Sequence, residues 1–125
     1  MFGSLYPSWR RLPVTIVNYA NTTYENTINC AGYSKITIQF HNCGQHTSSG
    51  QFYGNRYFHS ITVTPSASNS NTLAYEYSWD NNWSGSAVAN ISGYSSVWVK
   101  ACVDGSNDNG ARWTCSNCAI TITLE

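Results

Sequence analysis

The chain predicts an all-β fold, a jelly-roll β-sandwich of about eight or nine antiparallel strands. Three observations carry that expectation. Apolar and polar residues alternate with period two in segment after segment, no window holds an apolar stripe of helical period, and polar turn clusters separate the alternating runs at roughly ten-residue intervals. At 125 residues the chain has room for one core, so residues 1–125 are read as a single domain with residues 1–12 as its lead-in.

Taken in order, the first strand is PVTIVNY (13–19), where Pro13, Thr15 and Asn18 interrupt the apolar run that a signal peptide would need after Arg10 and Arg11. SKITIQF (34–40) follows, its Ile36, Ile38 and Phe40 falling on one face. The cluster NCGQHTSSGQFYGN separates it from HSITVTP (59–65), and PSASNSN separates that from LAYEYSW (73–79). DNNWSGS, then SSVWVKACV (95–103), DGSNDNG and CAITITL (118–124) complete the series. Glycine, asparagine, aspartate and proline in these clusters supply the positive or fixed φ that turns require.

One phrase is written twice. Residues 28–40 read INCAGYSKITIQF and residues 89–101 read ANISGYSSVWVKA, so Asn29 matches Asn90 and Gly32-Tyr33-Ser34 matches Gly93-Tyr94-Ser95. A strand that ends, bends at glycine and restarts in the opposite sheet would need this phrase, with the tyrosine covering the end of the sandwich and the serine opening the next strand. The two Greek-key halves of a jelly roll meet that problem twice, which makes the repeat architectural. This Gly-Tyr-Ser corner resembles those of galactose-binding-like jelly-roll domains, found among carbohydrate-binding modules and at the distal ends of bacteriophage fibre and baseplate proteins. The resemblance implies a non-catalytic, ligand-binding module; it carries over no binding residue, because sites in that superfamily lie on loops that differ between members.

Composition narrows the partners. Charged residues are 10 % of the chain and six basic side chains balance six acidic ones, which gives no electrostatic footprint for nucleic acid or an anionic membrane. No apolar stretch is long enough for a membrane-spanning helix, so no membrane insertion is expected. Five tryptophans and nine tyrosines set among Asn, Ser and Thr suit a neutral, hydroxyl-rich ligand such as a cell-surface glycan. An extracellular-looking surface without a signal peptide fits a virion surface or another extracellular setting, with a homo-oligomer, a trimer or larger, as a possible assembly.

No catalytic set emerges, and the expectation is a protein that is not an enzyme and needs no cofactor. The acids Glu25, Glu76, Asp80, Asp104, Asp108 and Glu125 offer no paired spacing, and His41, His46 and His59 lack a nucleophile or acid pattern. His59 reads as a strand residue on the polar face, and Glu76, between Tyr75 and Tyr77, as solvated. DGSNDNG carries oxygen ligands, but its Asn-Gly is hairpin chemistry and its spacing fits no calcium loop.

The cysteines number five, so pairing leaves at least one over within the chain. Cys115 and Cys118 form a C-x-x-C, yet a strand follows them and the helix N-terminus that would activate such a thiol is missing. Zinc would require these two together with Cys102, Cys43 or His41. The ordinary reading is a disulfide between Cys102 and Cys115, which flank the DGSNDNG loop almost symmetrically.

The candidate ligand-binding residues are therefore aromatic and amide groups near turns. Trp79, Asp80, Asn81, Asn82 and Trp83 end the LAYEYSW strand; Tyr75 and Tyr77 on that strand are assigned to core packing, whereas Trp83 either caps the sandwich or offers a platform for a sugar. Tyr53, Arg56 and Tyr57 lie in the long GQFYGNRYF connection, where Arg56 would suit an acidic sugar or a neighbouring subunit. The competing expectation is a structural subunit of a capsid, fibre or filament whose exposed aromatics bury against sister copies.

Overall fold

The computed structural model describes residues 10–16, 22–41, 45–49, 56–78, 83–106, 112–116 and 118–125, with side chains placed at 11, 24–41, 59–78, 83–102 and 119–125. These residues form ten strands and no helix: β1 (Arg10–Ile16), β2 (Thr22–Asn29), β3 (Lys35–His41), β4 (Gln45–Ser49), β5 (Arg56–Thr64), β6 (Ala74–Ser78), β7 (Ser86–Asn90), β8 (Ser96–Ser106), β9 (Arg112–Ser116) and β10 (Cys118–Leu124). The strands that no apolar run announces are β2, β4, β7 and β9. In β7 the alternation is present but quiet, because the buried positions are alanines, Ala87 and Ala89, between exposed neighbours.

Every pairing is antiparallel. One sheet has four strands in the order β1-β10-β3-β7; the other has six, in the order β4-β9-β8-β5-β6, with β2 also paired to β8. Their inner faces share one core and make a β-sandwich. The first sheet contributes Ile36, Ile38 and Phe40 from β3, Ala87 and Ala89 from β7, and Ile120, Ile122 and Leu124 from β10, while Ile28, Ile61, Val63, Val97, Val99 and Ala101 come from the second. Each set recurs at every second position, so the pleat alone sends these side chains inward. Fully burying one such Ile, Val or Phe contributes about 1.5–3 kcal/mol against leaving it exposed.

The repeated phrase forms two matched corners. Cys30 to Tyr33 and Ile91 to Tyr94 each close a turn, Tyr33 N–H donating to Cys30 O at 3.0 Å and Tyr94 N–H to Ile91 O at 3.0 Å. Gly32 and Gly93 take φ of 88° and 86°, the value a type II turn demands at its third residue. Each corner carries the chain between sheets, from β2 to β3 and from β7 to β8. The corners also bond to one another reciprocally: Cys30 N–H donates to Ser95 O at 2.9 Å and Ile91 N–H to Ser34 O at 2.8 Å. Register repeats as well, since Lys35 opposes Asn90 in the first sheet as Ser96 opposes Asn29 in the second. Tyr33 and Tyr94 are half-buried against the core.

Two expectations about side-chain placement change. His59 is fully buried, its ring 5.6 Å from Phe40 in an edge-on arrangement and 6.1 Å from Trp83. It shares parity with Ile61 and Val63, so the pleat that buries them buries His59 too. Tyr75 and Tyr77, assigned above to the core, are 48 % and 53 % exposed. Their opposite numbers on β5 are Thr62 and Ser60, whereas the inward Ile61 opposes Glu76. Both tyrosines therefore stand on the outer face of an edge strand.

Candidate ligand-binding groove

The outer face of the six-stranded sheet is laid out in rows by the ladder. Glu25, Lys100, Thr62 and Tyr75 follow one another across β2, β8, β5 and β6, and Thr27, Trp98 and Thr64 form the adjacent row. Over these rows lies an open groove of about 510 Å³, lined by Glu25, Thr62, Thr64, Ala67, Asn69, Ser70, Trp98 and Lys100. That volume lies in the range of small-molecule sites. Trp98 sits on β8, between β2 and β5, and belongs to the floor of the groove.

One wall is the connection from β5 to β6, and its own hydrogen bonds shape it. Thr64 Oγ1 donates to Ser66 O at 3.0 Å, Asn69 N–H reaches Ser66 O at 3.2 Å, and Asn71 N–H donates to Asn69 Oδ1 at 3.0 Å. Leu73 N–H then returns to Val63 O at 2.7 Å. With its oxygen used in this turn, Asn69 has its Nδ2 donors to offer a ligand. The opposite side carries an ion pair, Lys100 Nζ to Glu25 Oε1 at 3.5 Å, both side chains about half exposed (49 % and 47 %). The groove thus presents an aromatic surface, hydroxyls, an amide and a Glu–Lys charge pair.

Beside the groove, on the same face, Tyr75 and Tyr77 hold their rings 5.6 Å apart at an interplanar angle of 35°. They make a second aromatic patch next to Thr62, which lines the groove. Trp83 lies elsewhere. Its ring is 5.3 Å from Phe40 and the residue packs half-buried on the core, which is the capping arrangement. Gly85 lies against the indole, where an added Cβ would stand 2.2 Å from Trp83 Cε2, and Gly85 O accepts Phe40 N–H at 3.0 Å.

Trp79, Asp80, Asn81, Asn82 and Tyr53 lie outside the described residues. Arg56 and Tyr57 open β5, their backbones opposite Ser106 and Gly105. Sequence reading missed Trp98 because it sits inside an alternating strand, where an aromatic is the ordinary occupant; the signal it carried was parity, opposite to that of the buried Val97 and Val99.

Cys102 is flanked by Thr23 on β2 and Ser60 on β5, and Cys115 stands opposite His46 on β4. Between β8 and β9 the described pairing is Ser106↔Arg112, and Arg112 also opposes Ser49 on β4. Cys118 is on β10 in the other sheet, and His41 Nε2 meets Thr121 Oγ1 on that sheet's outer face. Among the described residues no cluster of three or more His, Cys, Asp or Glu is placed to hold a metal. Cys30 is wholly buried beneath its corner, its Sγ 3.4 Å from Tyr94 O, and burial pushes the thiol above its ordinary range. Comparison with protein-family models and with curated proteins finds no match for the chain.

Proposed function

We propose that this protein is a non-enzymatic jelly-roll recognition domain that binds surface carbohydrate, and that its groove on the outer face of the six-stranded sheet receives the sugar. The single observation that carries the reading is the groove itself, with Trp98 at its floor among Thr62, Thr64, Asn69 and Ser70. The jelly-roll assignment draws support from strand order. With the β4–β9 pair set aside, β1 pairs β10, β2 pairs β8, β3 pairs β7 and β5 pairs β6, so the first half of the chain pairs with the second in reverse order. A long hairpin rolled over itself produces that nesting. The galactose-binding-like resemblance of the corners agrees with it and implies a setting on a virion surface, at a fibre, tail or head, or elsewhere outside a cell.

A glycan array with the parent and Trp98→Ala tests the reading. Binding by the parent that Trp98→Ala removes, with the fold retained, is the expected result. Binding that survives Trp98→Ala and is lost in Tyr53→Ala or Trp79→Ala would move the site to the loops.

A second reading is assembly. The three large hydrophobic side chains most exposed among the described residues, Tyr75, Tyr77 and Val88, all stand on β6 and β7, the edge strands on one side of the sandwich. Unpaired edges bearing apolar side chains are where copies of a chain meet. Light scattering on the eluted protein decides this reading: a discrete multimer that Tyr77→Lys dissociates, together with a blank array, would favour a structural subunit.

A further inference from the structure

Resting on the carbohydrate reading above, we propose that the Glu25–Lys100 pair makes the groove selective for uncharged glycans, each partner rejecting one class of charged sugar. The two residues face each other across the β2–β8 ladder and their charged atoms are 3.5 Å apart. Both line the groove, and the other described residues that line it, Thr62, Thr64, Ala67, Asn69, Ser70 and Trp98, carry no charge. A ligand lying on Trp98 therefore meets a carboxylate and an ammonium that cancel one another.

Selectivity follows from what a charged ligand would have to displace. A uronate or sialate that approached Lys100 would bring its carboxylate beside that of Glu25, and an amino sugar that approached Glu25 would meet the Lys100 ammonium. Like charges so placed oppose binding, and the opposite charge nearby is already satisfied. An uncharged hydroxyl can instead donate to Glu25 or accept from Lys100 without separating the pair. The pair suits this task better than it suits stability, because an exposed cross-strand ion pair contributes little to folding.

Three variants test the idea on an array holding uncharged, uronate- or sialate-bearing and glucosamine-bearing glycans, at low and at high salt. The parent should bind the uncharged class, insensitively to salt. Glu25→Gln leaves Lys100 alone and should raise the acidic-to-neutral binding ratio about tenfold at low salt, with the gain lost at high salt. Lys100→Gln should raise the ratio for amino sugars in the same way, and the double variant should return to uncharged glycans. Unchanged ratios in both single variants, with binding still dependent on Trp98, would overturn the role of the pair and leave the groove standing. A parent that binds charged glycans best would overturn it equally. A blank array for every form would remove the carbohydrate reading and this proposal with it. Thermal melts keep the outcome interpretable, since all three variants should unfold within a few degrees of the parent.

Discussion

At Gly85 only a hydrogen fits. A methyl group there would stand 2.2 Å from Trp83 Cε2 and Nε1, so Gly85→Ala must push the indole off Phe40 and His59. A cost of about 1–3 kcal/mol is expected, with a change in tryptophan fluorescence, read from urea denaturation. Gly93 is a different case: an added Cβ meets nothing within 4 Å, but φ is +86°. Gly93→Ala should therefore lose about 1 kcal/mol through backbone conformation alone, and Gly93→Asn less, because asparagine tolerates the left-handed region. Cys30 adds a pH dependence. Its thiol is raised above 9.0 by desolvation, so above that pH the unfolded chain releases a proton that the folded one keeps. Stability should be unaffected by Cys30 below pH 9.0 and should fall as pH rises past it; Cys30→Ala, compared with the parent by denaturation at pH 8 and pH 10, should show a smaller loss.

Strand β6 shows how an element's place in the sheet outweighs its composition. AYEYS has the aromatic alternation of a core strand, yet as the edge of its sheet it puts the tyrosines on the outer face and Glu76 on the side of Ile61, still exposed. Tyr75→Ser and Tyr77→Ser should each change stability by less than about 0.5 kcal/mol. On β5, one strand inward, Ile61→Ala should cost about 2–5 kcal/mol, because Ile61 is wholly buried between the sheets. Measuring the three variants by chemical denaturation would separate edge from centre. The polar strands β2, β4 and β9 teach the same lesson from the other side: their pairing partners, not their own apolar content, make them strands.

For the whole molecule, the pairing of β1 with β10 joins residues from opposite ends of the described chain. Ladders that close such long loops before any contact stabilises them fold slowly, so refolding is expected on the millisecond-to-second scale in stopped-flow fluorescence. The reciprocal bonds between the two corners couple the halves. Gly32→Ala and Gly93→Ala should therefore be non-additive in a double-mutant cycle, with an interaction energy of about 0.5 kcal/mol or more.

The sequence alone determined what depends on neighbours along the chain. Alternation at Ile36, Ile38 and Phe40, or at Ile120, Ile122 and Leu124, specifies strand and buried face together, and the Gly-Tyr-Ser phrase specifies two like corners. Parity likewise specifies the faces of His59, in step with Ile61 and Val63, and of Trp98, out of step with Val97 and Val99. Which strands lie beside one another depends instead on long-range pairing. The row from Glu25 through Lys100 and Thr62 to Tyr75 joins four strands that the chain separates widely, so neither the groove nor its ion pair has a local signal. The neighbours of Cys102 were hidden for the same reason: a residue knows its own face of the sheet, and the ladder alone supplies what stands opposite.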